Sequence, residues 1–283
     1  VRRRALTGGK VPGKPLIREA QMTPHAPGPL APDSLASRIR EGYAARGAMI
    51  FECFSPGIAP ILVNAGAEFV IFDMEHTGLG FEQLKWLNAT CRGLPITPMV
   101  RVPRNQYTYI ARALDLGSRG IMVPMVESAR EAAAIVESCW YPPKGRRGAA
   151  FGFAQCDYLN TDVVASMPRY NQRTLIIAQI ETERGLAELD AIAATPGIDV
   201  LWLGHFDLSN FMGIPAEFAS PAFDAAFRSV AQKAREHGKA AGFMASTQDW
   251  VQRARQAGYH VIAAGTDSAL LQDGFSGLIR SIR

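Results

Sequence analysis

A small set of polar side chains stands at the ends of apolar runs, where a polar group is costly unless it is paired or binds something. Asp73, Glu75 and His76 close the run FVIFDMEH (69–76). Arg101 lies in TPMVRVP (97–103), two residues before Pro103. Gln179 and Glu181 close LIIAQIE (175–181), while His205 ends DVLWLGH (199–205) and Asp207 follows it. Glu181 and Asp207 are candidate ligands for one hard divalent cation. Two carboxylates from neighbouring strand ends supply part of an octahedral oxygen shell, and water and substrate oxygens supply the rest. The same two acids would equally serve the first turns of the helices that follow, where the helix dipole favours negative charge. Asp73 and His76, three residues apart, are a candidate acid–base pair: a carboxylate bonded to imidazole fixes its tautomer and raises its basicity. A polar turn after a strand is the competing reading. Glu75 would face the other way on a strand and is read as structural. Arg101 would supply fixed positive charge to a carboxylate or an enolate, or else close a salt bridge, for instance to Glu75.

The lysines argue by their positions. The six are Lys10, Lys14, Lys85, Lys144, Lys233 and Lys239, and none ends an apolar run. A Schiff-base mechanism needs a desolvated lysine inside the site, so the pattern favours a metal as the electron sink; only Lys144, in a long loop, is an exception. His25 falls in the N-terminal tail, His237 near a helix C-terminus and His260 at the start of a strand. Trp140 and Trp202 are read as packing residues. Lys144, Arg146 and Arg147 are read as a solvated loop group, with a phosphate site as the alternative.

The elements that must position these residues follow from the apolar rhythm. Eight runs, 48–54, 69–76, 97–103, 120–126, 175–181, 199–205, 239–245 and 260–266, are near-continuously apolar, as parallel strands buried on both faces are. Between them lie amphipathic stretches with N-caps or terminal glycines. One starts at Asn105 and ends at Gly117; others start at Ser128 and Thr182, end at Gly238, and run from Ser246 to Gly258. Ser34 caps a further helix ahead of the first strand. Eight strand–helix units predict a single (β/α)₈ TIM barrel over 34–283, whose chemistry sits at the C-terminal strand ends. A doubly wound sheet is the alternative, but no GxGxxG follows the first strand. The long stretch 141–173 breaks the rhythm and is expected on the catalytic face.

Composition removes other classes. The 283 residues are 48% hydrophobic and 20% charged, enough for a large core and too apolar for a disordered chain. The net charge of +4 comes from six basic residues within 1–18; subtracting them leaves −2, which gives no basis for a nucleic-acid groove. Residues 1–33 are read as a poorly ordered basic, Pro- and Gly-rich arm, and 1–21 as an extension ahead of Met22. No apolar run spans a membrane and no signal core follows the basic start. Cys53, Cys91, Cys139 and Cys156 lack CxxC spacing and read as inert thiols of a reducing compartment, so a cytoplasmic location is expected.

The ordered set FVIFDMEHTG, PMVRVP, LDLGSRGIMVPMVESAREA with YPPKGRRG after it, IAQIET, LWLGHFDLS, KAAGFMA and AAGTDSALL closely resembles the metal-dependent HpcH/HpaI aldolase family over about 34–283. Bacterial 4-hydroxy-2-oxoheptanedioate aldolases are its familiar members. The resemblance implies a (β/α)₈ barrel and a pyruvate-type class II aldolase using Mg²⁺, Mn²⁺ or Co²⁺. Its substrates would be a small 2-oxo acid and an aldehyde. Residue by residue it implies Glu181 and Asp207 as metal ligands and His76 with Asp73 as the catalytic dyad. Arg101 and Gln179 would bind substrate, and Asp115 would reach a neighbouring subunit's site. It also implies a homo-oligomer, a hexamer or trimer of dimers, that exchanges its last helix between subunits. Two segments depart from the family: His205-Phe206 stands where many members have Pro-Ala, and AAFGFAQCDY differs from their alanine- and arginine-rich loop. A lyase or decarboxylase on the same enolate platform, as in macrophomate synthase or citrate lyases, is the alternative chemistry. A barrel kept only as a binding module is the remaining one.

Overall fold

The computed structural model describes residues 34–160 and 162–282; the arm expected over 1–33 lies outside them. Eight strands follow in chain order: β1 (Ala45–Ile50), β2 (Phe69–Asp73), β3 (Thr97–Arg101), β4 (Gly120–Val123), β5 (Leu175–Ile180), β6 (Val200–Leu203), β7 (Ala240–Ala245) and β8 (Val261–Thr266). Each pairs in parallel with the next, and β8 pairs with β1 to close a barrel. The expected (β/α)₈ architecture is the one that forms. The helices are α1 (Leu35–Arg40), α2 (Ile58–Asn64), α3 (Phe81–Thr90), α4 (Tyr107–Asp115), α5 (Ala129–Cys139), α6 (Val163–Arg173), α7 (Glu183–Ala187), α8 (Leu189–Ala194), α9 (His205–Phe211), α10 (Pro221–Glu236), α11 (Gln248–Ala257) and α12 (Asp267–Ser281). Among the described residues no helix is long and apolar enough to cross a membrane.

Strand alternation divides the apolar residues between two cores. Phe69 and Ile71 of β2, Met99 of β3, Leu175 and Ile177 of β5 and Trp202 of β6 fill the barrel. Their neighbours Val70, Phe72, Val100, Ile176 and Leu201 pack outward against the helices. The interior holds its large side chains because glycines face them. Phe69 is the register partner of Gly47, Met99 of Gly120, and Trp202 of Gly242. A Cβ at any of these glycines would lie closer than 3.0 Å to the opposing residue. The N-terminal opening is closed by α1, whose Leu35, Ala36 and Ile39 join the interior core. Arg40 locks it there. Its Nε donates to Asp199 Oδ1 at 2.7 Å and its Nη2 to Thr174 O at 2.8 Å, while Asp199 Oδ2 also accepts the Ile176 N–H.

Several sequence expectations need correction. β1 begins at Ala45 and ends at Ile50, so 51–54 form a loop rather than the end of a strand. α4 starts at Tyr107 after Gln106; Asn105 is no cap, and its side-chain amide instead donates to Glu131 O. Thr247 rather than Ser246 caps α11. Ser34, Ser128 and Thr182 do cap their helices. The largest correction concerns 141–173, which lies on the N-terminal face, opposite the chemistry expected for a barrel. It follows α5 and precedes β5, and a connection from a helix to the next strand is made at the N-terminal strand ends. It contains a 3₁₀ turn at Ala154–Cys156 and α6, and is tied there by Arg173 donating to Gln155 O and by Leu175 N–H to Arg119 O. Lys144, Arg146 and Arg147 go with it, so they cannot form a phosphate site on the catalytic face.

The glycine-for-bulk rule in the interior is testable. Gly47→Ala forces a methyl against both the ring and the carbonyl of Phe69, and such overpacking costs about 1–3 kcal/mol. The urea midpoint is expected to fall accordingly with an unchanged m-value; wild-type stability in this variant would show that the interior yields freely.

Candidate active site

Asp73 and Arg101 are the last residues of β2 and β3 and are register partners. Each continues the inward parity of its strand, Asp73 after Phe69 and Ile71, Arg101 after Met99, so both arrive one step above the apolar filling. Asp73 is fully buried and Arg101 nearly so. Arg101 Nε donates to Asp73 Oδ1 at 2.5 Å, and its Nη1 lies 3.2 Å from Glu75 Oε2. The Phe51 ring lies 5.5 Å from the guanidinium carbon.

The turn after β2 is built on Asp73. Its carboxylate accepts the N–H groups of Glu75 at 3.2 Å and His76 at 2.9 Å, and its carbonyl accepts the Thr77 hydroxyl. The carboxylate therefore holds the backbone under His76, not the imidazole as expected from the spacing. The half-exposed ring instead places Nε2 3.5 Å from Glu75 Oε2. Glu75 also departs from its expected outward placement. The strand ends at Asp73, so alternation no longer applies, and the turn swings Glu75 over the Arg101 guanidinium. Burial pushes its carboxyl up to about 8; Arg101 opposes this, while Glu181, Asp73 and Asp207 add to it.

Glu181 follows β5 and keeps the parity of Leu175, Ile177 and Gln179. It is 2% exposed. Its Oε1 accepts the Met125 N–H at 2.7 Å, and its Oε2 accepts from Gln179 Nε2. Burial raises this carboxyl above its ordinary value, the two hydrogen bonds pull it back, and Asp207 raises it further. Capping of α7 falls to Thr182, whose hydroxyl accepts the Gly185 N–H, so Glu181 is free to turn inward. Two backbone features make room for it. Met125 adopts φ 55°, a left-handed conformation unusual for a side chain of this kind, which aims its N–H at the carboxylate. Gly204, between β6 and α9, passes so close that a Cβ there would lie within 3.0 Å of Glu181 Oε2. Three residues on, Asp207 sits in the first turn of α9.

Six of the predicted residues, Asp73, His76, Arg101, Gln179, Glu181 and Asp207, thus meet at the C-terminal strand ends. With Glu75 they set four carboxylates around one guanidinium, a charge excess that calls for protons or a cation. Gln179 Oε1 is buried with no hydrogen-bond partner. Two carboxylates and a free amide oxygen are hard oxygen donors, the chemistry that suits a hard divalent cation such as Mg²⁺ or Mn²⁺. Among the described residues no three His, Cys, Asp or Glu side chains form a ligand cluster, so a cation here would take its remaining ligands from other oxygens. The seventh predicted residue, Asp115, is not brought to this centre. It ends α4 and accepts from Arg147 Nη2 at 2.6 Å on the N-terminal side. His205 is buried among the rings of Phe206, Phe218, Phe243 and Trp250, and burial lowers it to about 4, keeping it neutral. Phe206 beside it is 56% exposed.

Sequence reasoning missed Asp267, at the start of α12. Its carboxylate accepts the N–H groups of Phe51 at 2.9 Å, Glu52 at 3.0 Å and Cys53 at 2.5 Å. It pins the loop that lays Phe51 against Arg101. Burial alone would raise its carboxyl, but these bonds bring it below the usual carboxylate value. An acid after an apolar run was the available signal.

Residues 48–273 match the model of the HpcH/HpaI aldolase/citrate lyase family. A hydroxypyruvate/pyruvate aldolase of Roseobacter denitrificans is 32% identical over 219 residues, covering 75% of this chain and 83% of that protein. A 4-hydroxy-2-oxovalerate aldolase of Novosphingobium aromaticivorans is 34% identical over 258 residues, 89% of this chain and 95% of the relative. Among solved structures, an HpcH/HpaI aldolase from Desulfitobacterium hafniense superposes with a TM-score of 0.84 at 27% identity, covering 88% and 96% of the two chains.

Asp267→Ala strands three backbone donors, and folding stability at pH 7 is expected to fall by about 1–3 kcal/mol. A depressed folded-state pKa contributes stability that is present above the unfolded value and lost as pH falls through the folded one. The gap between variant and wild type in urea should therefore close on acidification. A gap that stays constant would show that the carboxylate charge is not what holds the loop.

Proposed function

The chain belongs to the HpcH/HpaI aldolase/citrate lyase family and is a carbon–carbon lyase, and on that premise we propose that it is a divalent-metal-dependent aldolase. Its reaction cleaves, or forms, 4-hydroxy-2-oxo acids, giving a pyruvate-type 2-oxo acid and an aldehyde. The observation that carries this reading is the pairing of Glu181 with Asp207 beside Arg101, in a centre holding four carboxylates and one guanidinium.

Glu181 and Asp207 would hold Mg²⁺, Mn²⁺ or Co²⁺, with Gln179 Oε1 the adjacent free oxygen. Bound there, the cation supplies Lewis acidity for the charge that develops on the 2-oxo group. Arg101, fixed by Asp73 and Glu75, balances negative charge as the C3–C4 bond breaks. His76 takes the proton of the 4-hydroxyl. Asp73 positions it through the backbone of the turn, and Glu75 stands against its Nε2. Phe51 lies against Arg101, and Met125 and Phe206, 41% and 56% exposed, adjoin Glu181 and His205; these apolar side chains suit an aldehyde with an apolar substituent.

Assembly follows from α12. Leu270, Leu271, Phe275, Leu278 and Ile279 are each 47–67% exposed on it, an apolar surface that a lone chain leaves in water. The reading is a homo-oligomer, a hexamer, in which this helix packs on a neighbouring barrel. Asp115, remote from its own centre, then serves a neighbour's site.

Exchange of the pyruvate methyl protons in D₂O, followed by NMR, tests the proton-abstraction half of the reaction without the aldehyde. Exchange is expected with Mg²⁺ or Mn²⁺ and not with EDTA; no exchange in either would overturn the pyruvate assignment. Asp207→Ala should abolish it while leaving the fold intact. Gly204→Ala, which pushes on the Glu181 carboxylate, should weaken metal binding by about 10–100-fold, as displacement of a ligand's supporting shell does.

Light scattering is expected to give an oligomer's mass for the full chain and a monomer's mass once 270–283 is deleted. An unchanged mass would remove the helix from the interface.

A further inference from the structure

The N-terminal face holds a second cluster of charge, of the opposite sign. Asp157, just after the 3₁₀ turn in the long segment, stands among three guanidiniums: Arg92 Nε at 3.4 Å, Arg119 Nη2 at 3.5 Å and Arg173 Nη1 at 3.9 Å. A well-made guanidinium–carboxylate pair closes to about 2.7–2.9 Å, so one acid is shared three ways at longer range, with only a long hydrogen bond accepted from Arg119 Nη2 at 3.5 Å. Arg173 Nη1 is buried with no hydrogen-bond partner. Burial, together with the neighbouring Arg119 charge, pulls the Arg173 guanidinium down to about 10.

The cluster borders a cavity of about 50 Å³ lined by Lys85, Arg92, Arg119, Asp157 and Tyr158 among others. Asp157 is the one acid in that lining, and Lys85 makes no ion pair among the described residues. The space holds about three to five waters at the 10–15 Å³ each needs, which is the scale of a tetrahedral oxyanion. The walls are deliberately shaped. Asp157 and Tyr158 are consecutive non-glycine residues in left-handed conformations, at φ 55° and 60°, and the Arg92 guanidinium lies 4.8 Å over the Tyr158 ring. That stacking fixes Arg92 at the rim.

We propose that this cavity is an anion site for a phosphate group, held by Arg92, Arg119 and Lys85 on the face opposite the aldolase centre. Asp157 is its built-in competitor: it keeps the arginines apart and oriented in the empty site and is the group an incoming oxyanion offsets. The site is separate from the chemistry, because Arg119 directly precedes β4 and Arg92 follows α3, both at the N-terminal strand ends.

The sign of two substitutions separates this from a structural salt-bridge cluster. Inorganic phosphate is titrated calorimetrically into the full-length wild type, Arg119→Gln, Lys85→Gln and Asp157→Asn. Asn tolerates the left-handed backbone at 157. Arg119→Gln should weaken binding by about tenfold and Lys85→Gln by several-fold, the size of one charge–oxyanion contact. Asp157→Asn should tighten it, because the competing carboxylate is gone. A purely structural cluster would instead lose thermal stability in Asp157→Asn and gain no affinity. Glycerol 3-phosphate, run alongside, distinguishes a phosphomonoester from free phosphate as the preferred source, and affinity for either supports the site. No binding of either by the wild type up to about 10 mM, a level worth under ~3 kcal/mol, would overturn the proposal. So would binding that Arg119→Gln and Asp157→Asn leave unchanged.

Discussion

The buried pair of Asp73 and Arg101, 2.5 Å apart at matched positions of β2 and β3, is the contact on which the centre is built. Taking both charges out of water costs several kcal/mol each, which Coulomb attraction offsets only when the remaining donors and acceptors are also used. Here they are. Asp73 spends its other acceptor capacity on the backbone of the following turn, and Arg101 spends a second nitrogen on Glu75. The ion pair thereby sets the path of the chain after β2, and with it the position of His76. Removing either partner would leave an unpaired charge and an unsupported turn together.

That pair is held in place by what lies beneath it. The parity that carries Phe69 and Ile71 inward is the same parity that delivers Asp73, and Leu175 and Ile177 likewise deliver Gln179 and then Glu181. A slip of one residue in register would send every one of these polar groups outward among the helices. Bulk opposite glycine at Phe69–Gly47, Met99–Gly120 and Trp202–Gly242 allows only one seating of neighbouring strands. Packing in the barrel is thus a positional constraint on the chemistry above it.

The same logic explains what was legible from sequence. Apolar runs and their polar ends located all eight strands and the six candidate residues that gather at one end of the barrel, because a period of two and the cost of burying a charge are local rules. Glu75 was misread because alternation was extended past Asp73, where the strand ends. The segment 141–173 was assigned to the wrong face because it was counted as lying between two strands, when it lies between a helix and a strand. Asp267 stayed hidden because its partners are backbone N–H groups more than 200 residues away, and no side-chain pattern marks them.

The two ends of the barrel then carry charge of opposite sign for a common reason. Each helix of a (β/α)₈ barrel runs back against its strand, so helix N-termini gather at the C-terminal strand ends and helix C-termini at the other. The dipoles favour acids at the first end and bases at the second. Asp207 and Glu183 in first turns, and Arg40, Arg119 and Arg173 below, follow that field. The field of partial charges explains the sorting but not the surplus. Half-charges in water-screened first turns are worth about 0.3–1 kcal/mol each, too little to hold four carboxylates around one guanidinium, or three guanidiniums around one carboxylate. Each surplus is a request for a counter-ion, a cation above and an oxyanion below. The barrel keeps the two apart by the length of its apolar interior.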